Sequence, residues 1–163
     1  MIVALGADHR GMEVRRHLLE WFRKNEYEVN DMSPSDSGPI DYPDIAYAVA
    51  DSVSRGIAQR GVLIGGTGIG MCMTANKIAT VRAVLVRDEI GAEMSRHHND
   101  ANVLCLSADM LGMRIIDKIM VKWLTTEFAG GRHARRVQKI TAIERGLDPS
   151  NAGSATDSAT VAD

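Results

Sequence analysis

The stretch Gly61–Lys77, "GVLIGGTGIGMCMTANK", decides how the chain is read. Val62–Ile64 has the β-branched and aliphatic character of a short buried strand. Four glycines then fall within the six positions Gly65–Gly70, and a helical segment follows. A strand, a side-chain-poor turn and a helix form one unit of an α/β domain. The same alternation continues in both directions. Ile2–Leu5, Tyr27–Asn30, Ala83–Val86 and Val103–Leu106 repeat the strand pattern. Between them, Val14, Leu18, Trp21 and Phe22 share one helical face, and Ile45, Val49 and Val53 recur every fourth position. Met110–Leu124 and Ala134–Arg145 are further predicted helices. Nearly continuous apolar strands separated by helices predict a parallel sheet of five strands, covered on both faces.

Composition sets the outer limits. A chain of 163 residues, 45% hydrophobic and 25% charged, suits one soluble globular domain. The net charge of −2 gives no reason to expect nucleic acid or an acidic membrane surface as a partner. No apolar run approaches the ~20 residues needed to span a bilayer. The N-terminus "MIVALGADHRG" reads as an immediate strand rather than a secretion signal. Two cysteines, Cys72 and Cys105, show no CxxC spacing, so neither a disulfide framework nor a metal site is expected, and the expected location is the cytoplasm. The segment 147–163 is small and polar and is expected to be a flexible tail after a domain spanning 1–146.

In open parallel sheets, ligands bind beyond the carboxyl ends of the strands, where strand order reverses. The loops to inspect are therefore Gly6–Gly11, Ser33–Pro43, Gly65–Gly70, Arg87–Gly91 and Ser107–Gly112. "GGTGIG" can aim backbone N–H groups at a phosphate, a carboxylate or an oxyanion, with a helix start behind them. It can equally be a tight turn that packs a helix on the sheet. It lacks the Gly-Lys-Ser/Thr ending of a P-loop, and it follows the third strand, whereas a dinucleotide fingerprint follows the first. "SRHHNDANVLCL" (Ser95–Leu106) places two adjacent histidines before a strand. Such a histidine can move protons near neutral pH or simply end a solvated helix. His97 and His98 cannot face the same way. "GGRHARRV" (Gly130–Val137) puts Arg132 and Arg136 on one helical face, suited to a phosphate or to plain solvation.

Taken in order, "GADHRG", "DYPDIA", "GGTGIGM…ANK", "VRAVLV", "SRHHNDANVL" and "FAGGRHARRV" resemble the family of ribose-5-phosphate isomerase B and the galactose-6-phosphate isomerase subunits. The similarity runs from about Ile2 to Gly146. It implies a Rossmann-like three-layer α/β/α sandwich around a five-stranded parallel sheet. It also implies aldose–ketose isomerisation of a sugar phosphate without metal or organic cofactor, ribose 5-phosphate being the default substrate. Homodimers or homotetramers with shared sites are implied too. By the same resemblance, Gly66, Gly68, Ile69, Gly70 and Asn99 form an anion hole for a cis-enediolate. His98 opens the sugar ring, and Thr67 is a further catalytic residue. Asp8 and Tyr42 hold sugar hydroxyls and help to open the ring. His9 and, from the partner subunit, Arg132 and Arg136 bind phosphate, and His133 is a further substrate-binding residue.

The chain departs from the pattern where a carbon base is expected. One branch of the family has a cysteine at the position of Gly65, and another has a glutamate at the position of Met71. Cys72, one step further on, is a candidate base if the helix start lowers its pKa, and a core residue if it points inward. Asp109 stands where many relatives have a phosphate-binding arginine, so either the substrate differs or a neighbouring cation compensates. The alternatives are an isomerase for another tetrose, pentose or hexose phosphate, and a non-catalytic or hetero-oligomeric paralogue that binds sugar phosphates. A nucleotide-binding module rests on the glycine loop alone.

Overall fold

The computed structural model describes residues 1–34 and 40–152. Part of the predicted Ser33–Pro43 loop and most of the predicted tail lie outside these residues. The elements are β1 (Ile2–Ala7), α1 (Met12–Lys24), β2 (Glu28–Asp31), α2 (Tyr42–Ser54), β3 (Arg60–Gly65), α3 (Ile69–Ala75), β4 (Ala83–Leu85), α4 (Glu89–Asn99), β5 (Val103–Ser107), α5 (Met113–Thr125) and α6 (Gly131–Glu144). All strand pairs are parallel, in the order β2-β1-β3-β5-β4. The sheet grows outward in opposite senses from β1 and β3, which places the reversal of strand order between these neighbours.

Side-chain alternation divides the core in two. Val3, Leu5, Val62, Ile64, Leu104 and Leu106 face one side of the sheet, under Val14, Leu18 and Phe22 of α1 and Ile116, Met120 and Trp123 of α5. Ala4, Leu63, Val103 and Cys105 face the other, under Ile45, Val49 and Val53 of α2 and Met71 and Ala75 of α3. Helical spacing in the sequence therefore identifies the faces that pack. Among the described residues, no helix is long and apolar enough to cross a membrane.

Element ends differ from expectation where polar side chains intervene. The fifth helix begins at Met113, three residues later than the apolar pattern suggests. Ser107 Oγ accepts the Met110 N–H at 3.2 Å and holds Ser107–Met110 in a turn. The last helix begins earlier than predicted, because Gly130 and Gly131 adopt positive φ and turn the chain into it. The start of the predicted tail is ordered: Pro149–Asn151 forms a short 3-10 turn capped by Asp148, whose side chain accepts the Ser150 N–H at 2.8 Å.

Candidate active site

At the carboxyl edge, the strand-order reversal brings Asp8 and the glycine loop together. The Asp8 N–H donates to Ile64 O at 3.1 Å, which continues the β1–β3 ladder to the end of both strands. The Asp8 side chain folds back on its own turn: Oδ1 accepts the N–H of Arg10 at 2.9 Å and of Gly11 at 3.2 Å. Asp8 is buried, with 7% of its surface exposed, whereas His9 is exposed beside it.

The loop's carbonyls are pinned toward β5. Gly65 O accepts from Ala108 N at 2.9 Å, and Gly66 O accepts from Asp109 N at 3.0 Å and Ser107 Oγ at 2.7 Å. In a trans peptide the N–H points opposite to the carbonyl. The N–H groups of Gly66 and Thr67 therefore turn away from β5, to the side on which β1 lies. Among the described residues, the N–H groups of Gly66, Thr67, Gly68 and Gly70 have no acceptor. Ile69 differs, since its N–H donates to Thr67 Oγ1 at 3.3 Å. Gly68 has φ +74°, and a β-carbon there would also meet Leu106 O at 2.9 Å, so only glycine fits the turn. A β-carbon on Gly70 would run into the Tyr42 ring at 2.5 Å, which places that ring directly over the loop. α3 behind the loop has only seven residues, so the loop amides rather than a long helix dipole supply the donors.

Asp109 does not stand as a bare anion at this edge. The Arg10 guanidinium bridges it, with Nη2–Oδ1 at 2.9 Å and Nε–Oδ2 at 3.1 Å. The hydrogen bond to Asp109 holds the Arg10 pKa above its ordinary value. The neighbouring-cation explanation for Asp109 therefore has its cation.

Cys72, the candidate base, is half-buried between α3 and the sheet. Its Sγ donates to Ala83 O at 3.5 Å and receives Asn76 Nδ2 at 3.6 Å. Cys105 and the Leu85 backbone are its other neighbours, so the thiol packs over the middle of β4 and β5 with the α2–α3 core. The hydrogen bond from Cys105 lowers the Cys72 pKa to about 7, while burial pushes Cys105 up. An acidic thiol here is a product of core packing. Met71 is likewise core, 1% exposed. Asn76 is a brace: its amide exchanges two hydrogen bonds of 2.9 Å with the backbone of Ala83.

His98 and Asn99 occupy the amino edge of the sheet, which corrects their grouping with the loop of the same chain. α4 runs back from the carboxyl end of β4, so its last turn lies near Val103, the start of β5. The register pairs Val103 with Gly61 and Ser107 with Gly65, the two ends of the neighbouring strand. The six residues of β3 alone therefore put roughly 16 Å between the loop and this edge. The amino edge is a second cluster. The rings of His98 and His133 stack 4.2 Å apart at 6°, and His97 lies 5.2 Å from His98. Ala129 N donates to His97 O at 3.0 Å, which docks the start of α6 on the end of α4. Arg132 and Arg136 are exposed one turn apart on α6. Burial and the positive field of His98, Arg132, Arg136 and His97 lower the His133 pKa.

Asp100, part of the "HND" motif, anchors this cluster. It caps α4 at φ +47°. Its two oxygens bind Arg96 Nη1 at 2.7 Å and Arg82 Nη2 at 2.8 Å. Arg96 is buried and also donates to Ala101 O at 2.6 Å. Sequence reasoning missed Ser107 and Arg10. A serine ending the strand beside a glycine loop is the available signal for the first. A basic residue beside Asp8, matched by an acid at 109, is the signal for the second.

Comparison with known proteins bears on the chain as a whole. Residues 3–140 match the ribose/galactose isomerase family. The chain is 38% identical over 143 residues to ribose-5-phosphate isomerase B of Escherichia coli, covering 88% of this chain and 96% of that protein. It is also 38% identical over 140 residues to D-erythrulose-4-phosphate isomerase of Pectobacterium atrosepticum, covering 85% and 91%. The structure of Clostridium thermocellum ribose-5-phosphate isomerase B superposes with a TM-score of 0.88 at 40% identity, covering 90% and 99%.

Proposed function

The chain belongs to the ribose/galactose isomerase family, and from that premise we propose that it interconverts ribose 5-phosphate and ribulose 5-phosphate. Ring opening comes first, and a cis-enediolate is the intermediate. That it is a sugar-phosphate aldose–ketose isomerase follows from its relatives. The observation that carries the finer reading is the row of unpaired N–H groups beside buried Asp8. Donors held by pinned carbonyls suit an oxygen that becomes negative only during reaction, since they need no reorganisation.

The amino-edge cluster completes the site from a second copy. His98 transfers the ring-opening protons, Asn99 adds a donor to the enediolate, and Arg132 and Arg136 bind the phosphate together with His9. Tyr42, over the loop, holds a sugar hydroxyl. A homodimer with two shared sites is the smallest assembly that satisfies both edges.

A second reading is a tetrose phosphate substrate. It is supported by equal identity, 38%, to the erythrulose 4-phosphate enzyme. Steady-state assays with ribose 5-phosphate, erythrulose 4-phosphate and allose 6-phosphate separate the two. The largest kcat/KM is expected for ribose 5-phosphate; a larger value for the tetrose selects the second reading, and no turnover of any rejects both.

A further inference from the structure

We propose that Asp8 is the base that moves the carbon-bound proton in this enzyme. The proposal rests on the isomerase reading and supplies the group that neither Gly65 nor Met71 can provide. Four observations meet at this carboxylate. Asp8 is the one buried ionisable side chain at the carboxyl edge among the described residues; the other buried charged or imidazole groups, Arg96 and His133, lie at the amino edge. Its Oδ1 is tied to two backbone N–H groups, which fixes the plane of the carboxylate. Its Oδ2 accepts no hydrogen bond among the described residues. That free oxygen is also the first atom a β-carbon on Gly65 would meet, at 3.0 Å.

The last observation gives Gly65 a purpose. A β-carbon there would crowd Oδ2 at 3.0 Å and the Met71 side chain at 3.2 Å. Without one, a carboxylate oxygen fixed by the two hydrogen bonds of Oδ1 faces the end of β3, where the unpaired N–H groups of Gly66 and Thr67 begin. A base beside an oxyanion site is the arrangement that enolisation requires. The other groups at this edge have different engagements. Asp109 is held by Arg10, the Thr67 hydroxyl accepts the Ile69 N–H, and His9 is exposed.

The step balances within the substrate. Asp8 Oδ2 takes the proton from C2 of the open-chain aldose. The C2–H electron pair forms the C1=C2 bond, and the carbonyl pair moves to O1, where the loop amides hold it. The same carboxyl group then returns the proton to C1. The proton on O2 passes to O1, and C2=O2 forms. C2 is oxidised and C1 reduced, with no external electron carrier. One carboxylate serves both carbons because they are bonded neighbours.

The test uses the full chain, with isomerisation and deuterium incorporation from D2O followed by NMR on the best substrate among ribose 5-phosphate, erythrulose 4-phosphate and allose 6-phosphate. Binding of ribitol 5-phosphate, which has no carbonyl, is measured by calorimetry. Asp8→Asn keeps the acceptor for the Arg10 and Gly11 N–H groups. It should lower turnover and carbon-proton exchange about 10³-fold. Its affinity for ribitol 5-phosphate should change less than about threefold. Asp8→Glu, which restores a carboxylate, should exceed Asp8→Asn in exchange by at least about tenfold. Asp8→Asn turnover within about tenfold of the unaltered protein overturns the proposal. So does loss of ribitol 5-phosphate binding that accounts for the whole defect, or equal exchange by the Asn and Glu variants. If the unaltered protein exchanges and isomerises none of the three sugars, the isomerase reading itself fails and takes the proposal with it. An active parent with an active Asp8→Asn variant rejects the base assignment alone.

Discussion

The carboxyl and amino edges of the sheet are built from different materials. At the carboxyl edge, the chemistry lies in backbone N–H groups and one buried carboxylate, and the ion pair between Arg10 and Asp109 cancels its own charge. At the amino edge it lies in side chains: three histidine rings and two exposed arginines mounted on helix ends. The first edge is rigid and suited to a charge that appears only in the transition state. The second is cationic and suited to a charge the substrate always carries. The strands hold them roughly 16 Å apart in one chain. The contrast teaches that the residues of the proposed site lie at two separate edges of one copy, which is what the proposed shared site would join.

The largest test of this division falls on His98. His98→Asn should lower turnover of the cyclic sugar by ~10²–10⁴-fold, because proton transfer to the ring oxygen is lost. An open-chain substrate of the same enzyme should be spared; equal loss on both substrates breaks the assignment. Next comes Arg136→Ala. Losing a charge-assisted hydrogen bond to phosphate costs about 1.5–3 kcal/mol, so KM should rise by ~10–100-fold with a smaller change in kcat. An unchanged KM would remove Arg136 from the phosphate site.

His133 predicts a pH effect of smaller size. Its pKa is lowered from 6.5 in the folded chain, so the unfolded chain takes up the proton first as pH falls. The associated stability is present above about pH 6.5 and is lost as the pH falls through the folded value. Melting temperatures between pH 7.5 and 5 should therefore fall more steeply for the unaltered protein than for His133→Gln. Parallel profiles would contradict this. The smallest effect concerns Cys72, whose thiol faces Ala83 O between the edges. Cys72→Ser should keep turnover within about threefold despite the thiol's acidity. Abolished proton exchange would make it the base.

Much of the fold was legible because periodicity reports packing directly. Val14, Leu18 and Phe22 are both the helical pattern and the buried face of α1. The loop at Gly65–Gly70 was legible because no other residue fits its turn at Gly68. Helix starts were less so, since Ser107 and the Gly130–Gly131 pair act through hydrogen bonds and dihedrals that spacing does not encode. The site was half legible. Residue types singled out candidates at both edges, but His98 was read together with the glycine loop, which lies at the other edge of the same sheet. The direction of α4 decides that placement, and a motif read along the chain is silent about which end of a sheet it reaches. The free oxygen of Asp8 was hidden for a related reason: it depends on a side chain that Gly65 lacks.

Mixing two inactive variants tests the division most directly. Asp8→Asn removes the carboxyl edge and His98→Asn the amino edge, so neither homodimer retains an intact site. If each site joins the carboxyl edge of one copy to the amino edge of the other, a mixed dimer has one intact site and one doubly defective site. Refolding the two chains together at equal amounts should recover about a quarter of the unaltered activity on the cyclic sugar, because half the dimers are mixed and each has one of two sites. A mixture no more active than its components, with mixed dimers present by mass spectrometry, would contradict the shared site.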